Sequence, residues 1–513
     1  VCGPTASWPE YQANNFSEWH KHMGAFVSGA GRDVDCLSVH MYSYFYAGEL
    51  QAEGNRIGSN VLAIMDLQET FSFSQLDYVL PLVVSEFGGT VRVKPNDTSA
   101  AVDDEGEEDM LLTGPSYGYE DLDPSRDAVD EGREDNASGL AYSPMNDFAI
   151  IQGVNGKLMS FLDRPDRILR VVPFITAKSV WFKNTYSDPT HSYPYVLWRY
   201  DNSTETRSHD GHTGTWTPTH LQKFYELWAA VRGDMRLVSS SDANLQVQLY
   251  AAQDSDMQDS DRNGATVFVL LNNLRPSSVS VKLRWDGCRL DSNYDVTTTR
   301  LFYDADRSMP VLHRYHETMP APPHLTMRPL EFVMLQLEAV QPAQLDPDRT
   351  TEAVVAVVNE RTLYSRDMLQ RLDCSGTVFR FNLAPQIQRH EAGEDEHQVQ
   401  PMMGMDIRMS FGGNATRFPE AMQRLRLSLN GIPLPPVELT TQMAGRMRVY
   451  AAQNAMFGAV TVSVPVAALK RMAAIDNKGQ DLEVLLHCEP DGDDPFDPQL
   501  VVSSVVLVTR TPW

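Results

Sequence analysis

The stretch Tyr78-Val79-Leu80-Pro81-Leu82-Val83-Val84-Ser85-Glu86-Phe87-Gly88-Gly89 decides how this chain is read. A nearly continuous apolar run of this length belongs to a strand buried on both faces, as in a parallel sheet. Pro81 cannot donate to a central ladder and therefore marks the strand start. A carboxylate directly after such a strand sits at its C-terminal end, the face where (β/α)₈ barrels place their chemistry. The glycines behind Glu86 let the backbone turn sharply and leave room for a ligand. Glu86 also has an ordinary structural reading, as a cap for the next helix or a partner for a nearby base.

Working outward, the same alternation of strand and helix recurs. Phe16, Trp19, Met23, Phe26 and Val27 share one helical face, and the helix stops at Gly29 or Gly31. Val34 to His40 reads as a strand, followed by a helix from Ser59-Asn60 through Leu67 with Asn60 as N-cap. Beyond the central stretch, a helix over Asn146 to Leu162 places Phe148, Ile151, Leu158 and Phe161 on one side, and Ile168 to Thr176 is its partner strand. Thr217-Pro218 offers N-cap and N1 chemistry for a helix bearing Leu221, Phe224, Tyr225, Trp228 and Val231, ended by Gly233. Repeated β-then-α units demand a parallel sheet covered by helices, either doubly wound or a (β/α)₈ barrel. Three strands and a short one over Val1 to Thr5 amount to half a barrel.

After Gly233 the texture changes. Leu245 to Tyr250, Ala265 to Leu271, Ser278 to Leu283 and Glu331 to Leu337 are short apolar or alternating runs between turn signals, the pattern of a β-sandwich. A second β region includes Arg424 to Leu429, Arg446 to Tyr450 and Leu500 to Val508. The expected fold class is thus α/β plus all-β: a partial (β/α)₈ TIM barrel over 1–233, a β-sandwich over 234–340 and a second β-sandwich over 345–513. Residues 96–138 are acidic and poor in apolar side chains, and are expected to be a disordered insertion, because they cannot bury enough surface to offset their ordering entropy.

Composition narrows the function classes. The 513 residues carry a formal charge of −25, and Asp103 to Asp135 alone holds 14 acids against two bases. Such acidity argues against nucleic acid or an anionic membrane surface as a partner, and no stretch approaches the roughly 20 apolar residues of a bilayer span. Five cysteines (Cys2, Cys36, Cys288, Cys374, Cys488) show no CxxC spacing and leave room for one or two disulfides. Sequons at Asn15, Asn96, Asn136, Asn202 and Asn414 permit glycosylation in a secreted protein. The first residue is Val1 rather than Met and no signal peptide precedes the fold, so the chain reads as an excerpt or processed product. His20-x-His22 and the scattered His191, His212 and His220 lack zinc-ligand spacing, and no phosphate loop or nucleophile elbow is present. The sequence therefore predicts neither metal nor cofactor.

Two further strand ends carry candidate groups. Ser38-Val39-His40-Met41-Tyr42 ends an apolar run with two polar rings on one face, since strand side chains repeat every two residues. Both are placed to hydrogen-bond a carboxylate or a sugar hydroxyl. Trp181, in Lys178-Ser179-Val180-Trp181-Phe182, offers a stacking platform for the apolar face of a sugar ring. Each has a structural reading alone; together with Glu86 they form a joint signal.

The order of Gly3-Pro4-Thr5, Phe16-x-x-Trp19, Asp35-x-x-Ser38-Val39-His40-x-Tyr42, Ser85-Glu86-Phe87-Gly88, Val172-Pro173-Phe174-Ile175 and Trp181 resembles the β-agarase/β-porphyranase family, glycoside hydrolase family 86. Phe224-Tyr225-x-Leu227-Trp228 and Leu271-Asn272-Asn273-Leu274 continue the likeness, which covers roughly Val1 to Leu283. The resemblance implies the C-terminal half of the barrel and a retaining endo-glycosidase of red-algal galactans. By that likeness Glu86 is the nucleophile at the seventh barrel strand, His40 and Tyr42 bind substrate at the sixth, and Trp181 does so at the eighth. It also implies an acid/base Glu in an Asn-Glu pair on the fourth strand, upstream of Val1; Asn359-Glu360 lies in the second β region and does not match. The expected partner is a polysaccharide met by a secreted or cell-surface monomer, and the fragment alone is expected to hydrolyse little. Two other readings stand beside it: another retaining barrel glycosidase of mannanase or xylosidase type, and a carbohydrate-binding protein without catalysis.

Overall fold

The structure is a computed structural model that describes residues 1–6, 13–46, 50, 58–92, 143–175, 177, 196–201, 215–233, 235–239, 241, 246–254, 266–284, 293–320, 324–339, 358–372, 375–381, 404–437, 448–450, 455–474, 481–489 and 497–512. The acidic stretch 96–138 and Trp181 lie outside them.

The N-terminal part is built around four parallel strands in sequential order: β1 (Cys2–Ala6), β2 (Cys36–Tyr46), β3 (Leu82–Arg92) and β4 (Ile168–Pro173). Between β1 and β2 run α1 (Ala13–Trp19), a π-helical turn over His20–Gly24 and α2 (Ala25–Ala30). The long helices α3 (Ser59–Leu76) and α4 (Pro144–Leu162) make the other crossovers. Ser143 caps α4 by accepting from the Met145 N–H, with Pro144 in the first turn, where its missing N–H costs nothing. Leu37, Val39, Met41, Leu82, Val84 and Phe87 of the sheet pack with Ile64, Phe71, Phe148, Ile151 and Phe161 of the helices in one core.

Several local expectations give way to tertiary contacts. Helix α3 runs on to Leu76 rather than ending at Leu67, and it is buried nearly all round, Asp66, Gln68, Glu69 and Thr70 included. Asn60 does not cap it. Gly58 holds that position at φ +57°, which a side chain would strain, and the Asn60 amide donates instead to the Phe457 carbonyl at 2.7 Å. Thr217-Pro218 does not start a helix either: both residues end a strand, Thr215–Pro218, that pairs with Trp198–Asp201, and the helix begins only at Gln222 and closes at Trp228, short of Gly233. The central strand itself begins at Leu82, directly after Pro81, so Tyr78 to Leu80 lie outside it.

Downstream, an antiparallel sheet has the order Met309–Pro320, Asn293–Asp304, Phe332–Ala339, Thr266–Asn273, Val247–Asp254, Met235–Leu237. Its residues Tyr250, Phe268, Leu270 and Phe332 enter the same core as α3 and α4. A second sheet centres on Gly404–Asn414, flanked by Leu500–Pro512 and Ala455–Ser463. It shares a separate core with a four-stranded sheet made of Thr377–Phe381, Leu482–Cys488, Leu425–Leu429 and Ile432–Pro433. Among the described residues no helix is long and apolar enough to cross a membrane.

Cys2 and Cys36 are register partners on β1 and β2 and form a disulfide across 34 residues of chain. Closing a loop of that length restricts the unfolded chain, so Cys36→Ser is expected to lower stability by about 2–4 kcal/mol. Urea midpoints check it: reduced wild type and Cys36→Ser should converge, and equal midpoints for oxidised wild type and the variant would show that the bridge contributes nothing.

Candidate active site

The site is set by the pairing of β2 with β3. Val39 stands opposite Val84, but His40 stands opposite Glu86, because the register shifts by one residue at Ser85. Such a bulge re-aims the side chains that follow it. Val84 and Phe87, three apart, are both fully buried, and Phe87 packs edge-on against Phe161 of α4 with centroids 5.3 Å apart. Glu86 thereby comes to the face shared by His40 and Tyr42. The extra residue is held by its own hydroxyl: Ser85 Oγ lies 2.8 Å from Ser38 Oγ.

Three of the four residues singled out from sequence are described, and they meet. Tyr42 Oη donates to Glu86 Oε2 at 2.5 Å, and His40 Nδ1 lies 3.3 Å from the same oxygen. The other carboxylate oxygen, Oε1, has no hydrogen-bond partner among the described residues. The Glu86 side chain is 34% exposed, against 16% for His40, so the acid is reachable while its partners are mostly covered. Tyr42 is buried, with Phe174, just beyond β4, set edge-on at 6.0 Å. Gly88 lets Tyr42 pack closely: a Cβ there would lie 3.3 Å from Tyr42 Cε1, so the ring would have to give by a few tenths of an ångström. A carboxylate oriented through one oxygen and open at the other is suited to attack or to proton transfer at a single partner atom.

Gly88 and Gly89, expected to turn the chain sharply after Glu86, instead continue β3 opposite Tyr42 and Ser43, and sequence reasoning gave no role to Phe174 or Lys157. Lys157 lies on α4, fully buried, and its ammonium donates to Ser43 Oγ at 2.6 Å and the Gly88 carbonyl at 3.0 Å. Its one sequence signal is a lysine placed among the apolar positions of a buried helix.

A cavity of about 390 Å³ lies elsewhere, between the N-terminus of α3 and the two downstream sheets, and none of His40, Tyr42 or Glu86 lines it. Its walls are ion pairs: Arg236 with Glu360 at 2.9 Å, Arg510 with Glu360 at 3.0 Å and with Asp406 at 2.7 Å. Burial alone would raise the Glu360 carboxyl, but Arg236 and Arg510 outweigh it and hold the group below the usual range. Asp163 nearby goes the other way, raised by burial that Arg236 offsets only in part. Glu360, the acid of the Asn-Glu pair, is thus engaged between two arginines of the downstream structure.

No family model matches the chain. It is 27% identical over 283 residues to a funoran endo-β-hydrolase of Wenyingzhuangia aestuarii, a match covering 55% of this chain and 30% of the relative. A β-porphyranase A of Phocaeicola plebeius is 26% identical over 283 residues, again 55% of this chain and 30% of the relative. The chain therefore spans about a third of the length of these relatives. Among solved structures, a β-porphyranase of glycoside hydrolase family 86 from Bacteroides plebeius superposes with a TM-score of 0.68 at 20% identity, covering 100% of this chain and 69% of that one.

Proposed function

We propose, from the premise that this chain belongs to glycoside hydrolase family 86, that it carries the nucleophile side of a retaining endo-glycosidase cleaving β-linkages of red-algal galactans. The observation that carries the reading is the convergence of Tyr42 Oη and His40 Nδ1 on one oxygen of Glu86, midway along β3. Four neighbouring parallel strands in sequential order fit a contiguous half of a (β/α)₈ barrel, with Glu86 midway along the third of them. We take 1–233 as that part and 234–340 and 345–513 as two β-sandwiches.

In this reading Glu86 Oε1 attacks the anomeric carbon. The bond to the leaving oxygen breaks with its electron pair staying on that oxygen, and a second carboxyl about 5–5.5 Å away protonates it. Water then releases the sugar from the glycosyl ester, the second carboxyl now acting as base. Tyr42, which donates to Glu86 Oε2, and His40, 3.3 Å from the same oxygen, keep the nucleophile oriented. The second carboxyl is assigned to the part of the relatives' length that this chain does not span. The natural partner is a galactan chain met outside the cell by a monomer, with Trp181 as a stacking platform.

A galactosyl donor with an activated leaving group tests Glu86 apart from the acid, since such a group departs without a proton. Incubation with an activated 2-deoxy-2-fluoro-β-galactoside is expected to add one glycosyl mass, mapped to Glu86 by peptide mass spectrometry. An unmodified protein, or a label on another residue, would remove the nucleophile role; a protein that binds galactan without being labelled would favour the carbohydrate-binding reading.

A further inference from the structure

We propose that Lys157 is a positioning residue for Glu86, fixing from behind the sheet the β2–β3 spacing on which the Tyr42–Glu86 contact depends; this rests on Glu86 being the nucleophile. An ammonium has three donors and no acceptor. In Lys157 they reach β2 through Ser43 Oγ at 2.6 Å, β3 through the Gly88 carbonyl at 3.0 Å, and the helix's own Gly153 carbonyl at 3.4 Å.

The points of attachment explain the role. Ser43 follows Tyr42, and alternation turns its side chain to the opposite face, toward the helices. Gly88 is the register partner of Tyr42, two residues past Glu86, and Ser43 is the partner of Gly89. One buried side chain therefore joins the two strands immediately beyond the three polar groups of the site. Helix α4 grips β3 twice at this level, through Phe161 on Phe87 and through Lys157 on Gly88. Packing alone does not call for a lysine here, since Phe148, Ile151, Val154 and Phe161 of the same helix are buried in an apolar core. A methionine would fill the same volume without burying a charge, which is costly unless hydrogen-bonded. The charge holds what a methionine cannot: two paired strands whose slip would lengthen the bond from Tyr42 to Glu86.

Wild type, Lys157→Met and Ser43→Ala are compared by the rate of labelling with the activated 2-fluoro-galactoside and by the low-field proton resonance of the Tyr42–Glu86 hydrogen bond. Misplacing a reacting group by about 1 Å costs on the order of 100-fold. Lys157→Met should therefore label about 10- to 100-fold more slowly at saturation with an unchanged half-saturating concentration, and the low-field proton should shift or vanish. Ser43→Ala, which keeps the ammonium, should move both readouts the same way by less. A lysine that only ties the fold together would lower the thermal midpoint and leave labelling and resonance unchanged below it, and that result overturns the proposal. Should Lys157→Met not fold, Ser43→Ala decides on the same two readouts. If wild type is not labelled at all, the nucleophile reading fails, while the resonance still reports whether Lys157 governs the Tyr42–Glu86 bond.

Discussion

Glu86→Gln is expected to fold as wild type does and to form no glycosyl-enzyme, its labelling rate falling by about 10⁴-fold or more, the scale on which removal of a nucleophile is felt. The substitution is nearly isosteric. The amide oxygen still accepts from Tyr42 Oη, so the contact that aligns the side chain survives while the negative charge and the nucleophilic lone pair are lost. Since the side chain is one-third exposed, the change leaves no uncompensated buried charge, and the urea midpoint is expected to stay within about 0.5 kcal/mol of wild type. In the full-length enzyme, galactan turnover should fall with labelling while galactan binding persists. Tyr42→Phe is the informative companion. It keeps the ring against Phe174 and removes only the donor, so it should slow labelling far less than Glu86→Gln. Equal labelling of Glu86→Gln and wild type would place the chemistry on another residue.

How much of this was legible in the sequence depends on the range of the forces that decide each feature. A long apolar run ended by an acid and two glycines is a local pattern, and it led to β3 and to Glu86. That His40 stands opposite Glu86 rather than Ser85 is not local: the bulge exists only in the pairing of two strands, held by Ser38 and Ser85. Helix α3 reads as ending at Leu67 because Gln68, Glu69 and Thr70 break an amphipathic stripe. A helix buried on all sides has no such stripe to keep, and these polar groups lie inside. Asn60 has the chemistry of a cap but is claimed by the carbonyl of Phe457, 397 residues away. The hairpin of Asn293–Asp304 and Met309–Pro320 is not marked in the sequence because threonine, arginine, histidine and glutamate interrupt its apolar residues and blur their alternation.

Asp66→Asn is expected to cost about 3–5 kcal/mol, the penalty of stranding buried charge. Asp66 is fully buried on α3 and takes Arg164 at 2.6 Å and Arg408 through two bonds at 2.6 and 2.8 Å. Arg164 also meets Glu69 at 2.9 Å, and Glu69 accepts from Tyr364 Oη at 2.8 Å. This cluster ties α3, the turn before β4 and the second downstream sheet into one polar joint. Burial alone would raise the Asp66 carboxyl, but Arg164 and then Arg408 outweigh it and hold the group below its ordinary value. An amide keeps the shape and removes the charge, so Arg408 is left buried without its carboxylate. The pH dependence follows from the direction of the shift. A depressed folded value gives stability that is whole above the unfolded aspartate value of about 3.9 and is lost as pH falls through the folded value. The gap between wild type and Asp66→Asn in urea midpoints should thus be constant near neutrality and shrink below about pH 3.9. Replacing both sides, Asp66→Leu with Arg408→Met, should recover part of the loss, because neither charge then has to be desolvated and Arg164 keeps Glu69. A single variant within about 1 kcal/mol of wild type, or a double variant weaker than the single, would mean that the joint is held by apolar packing around α3 and that its charges are incidental.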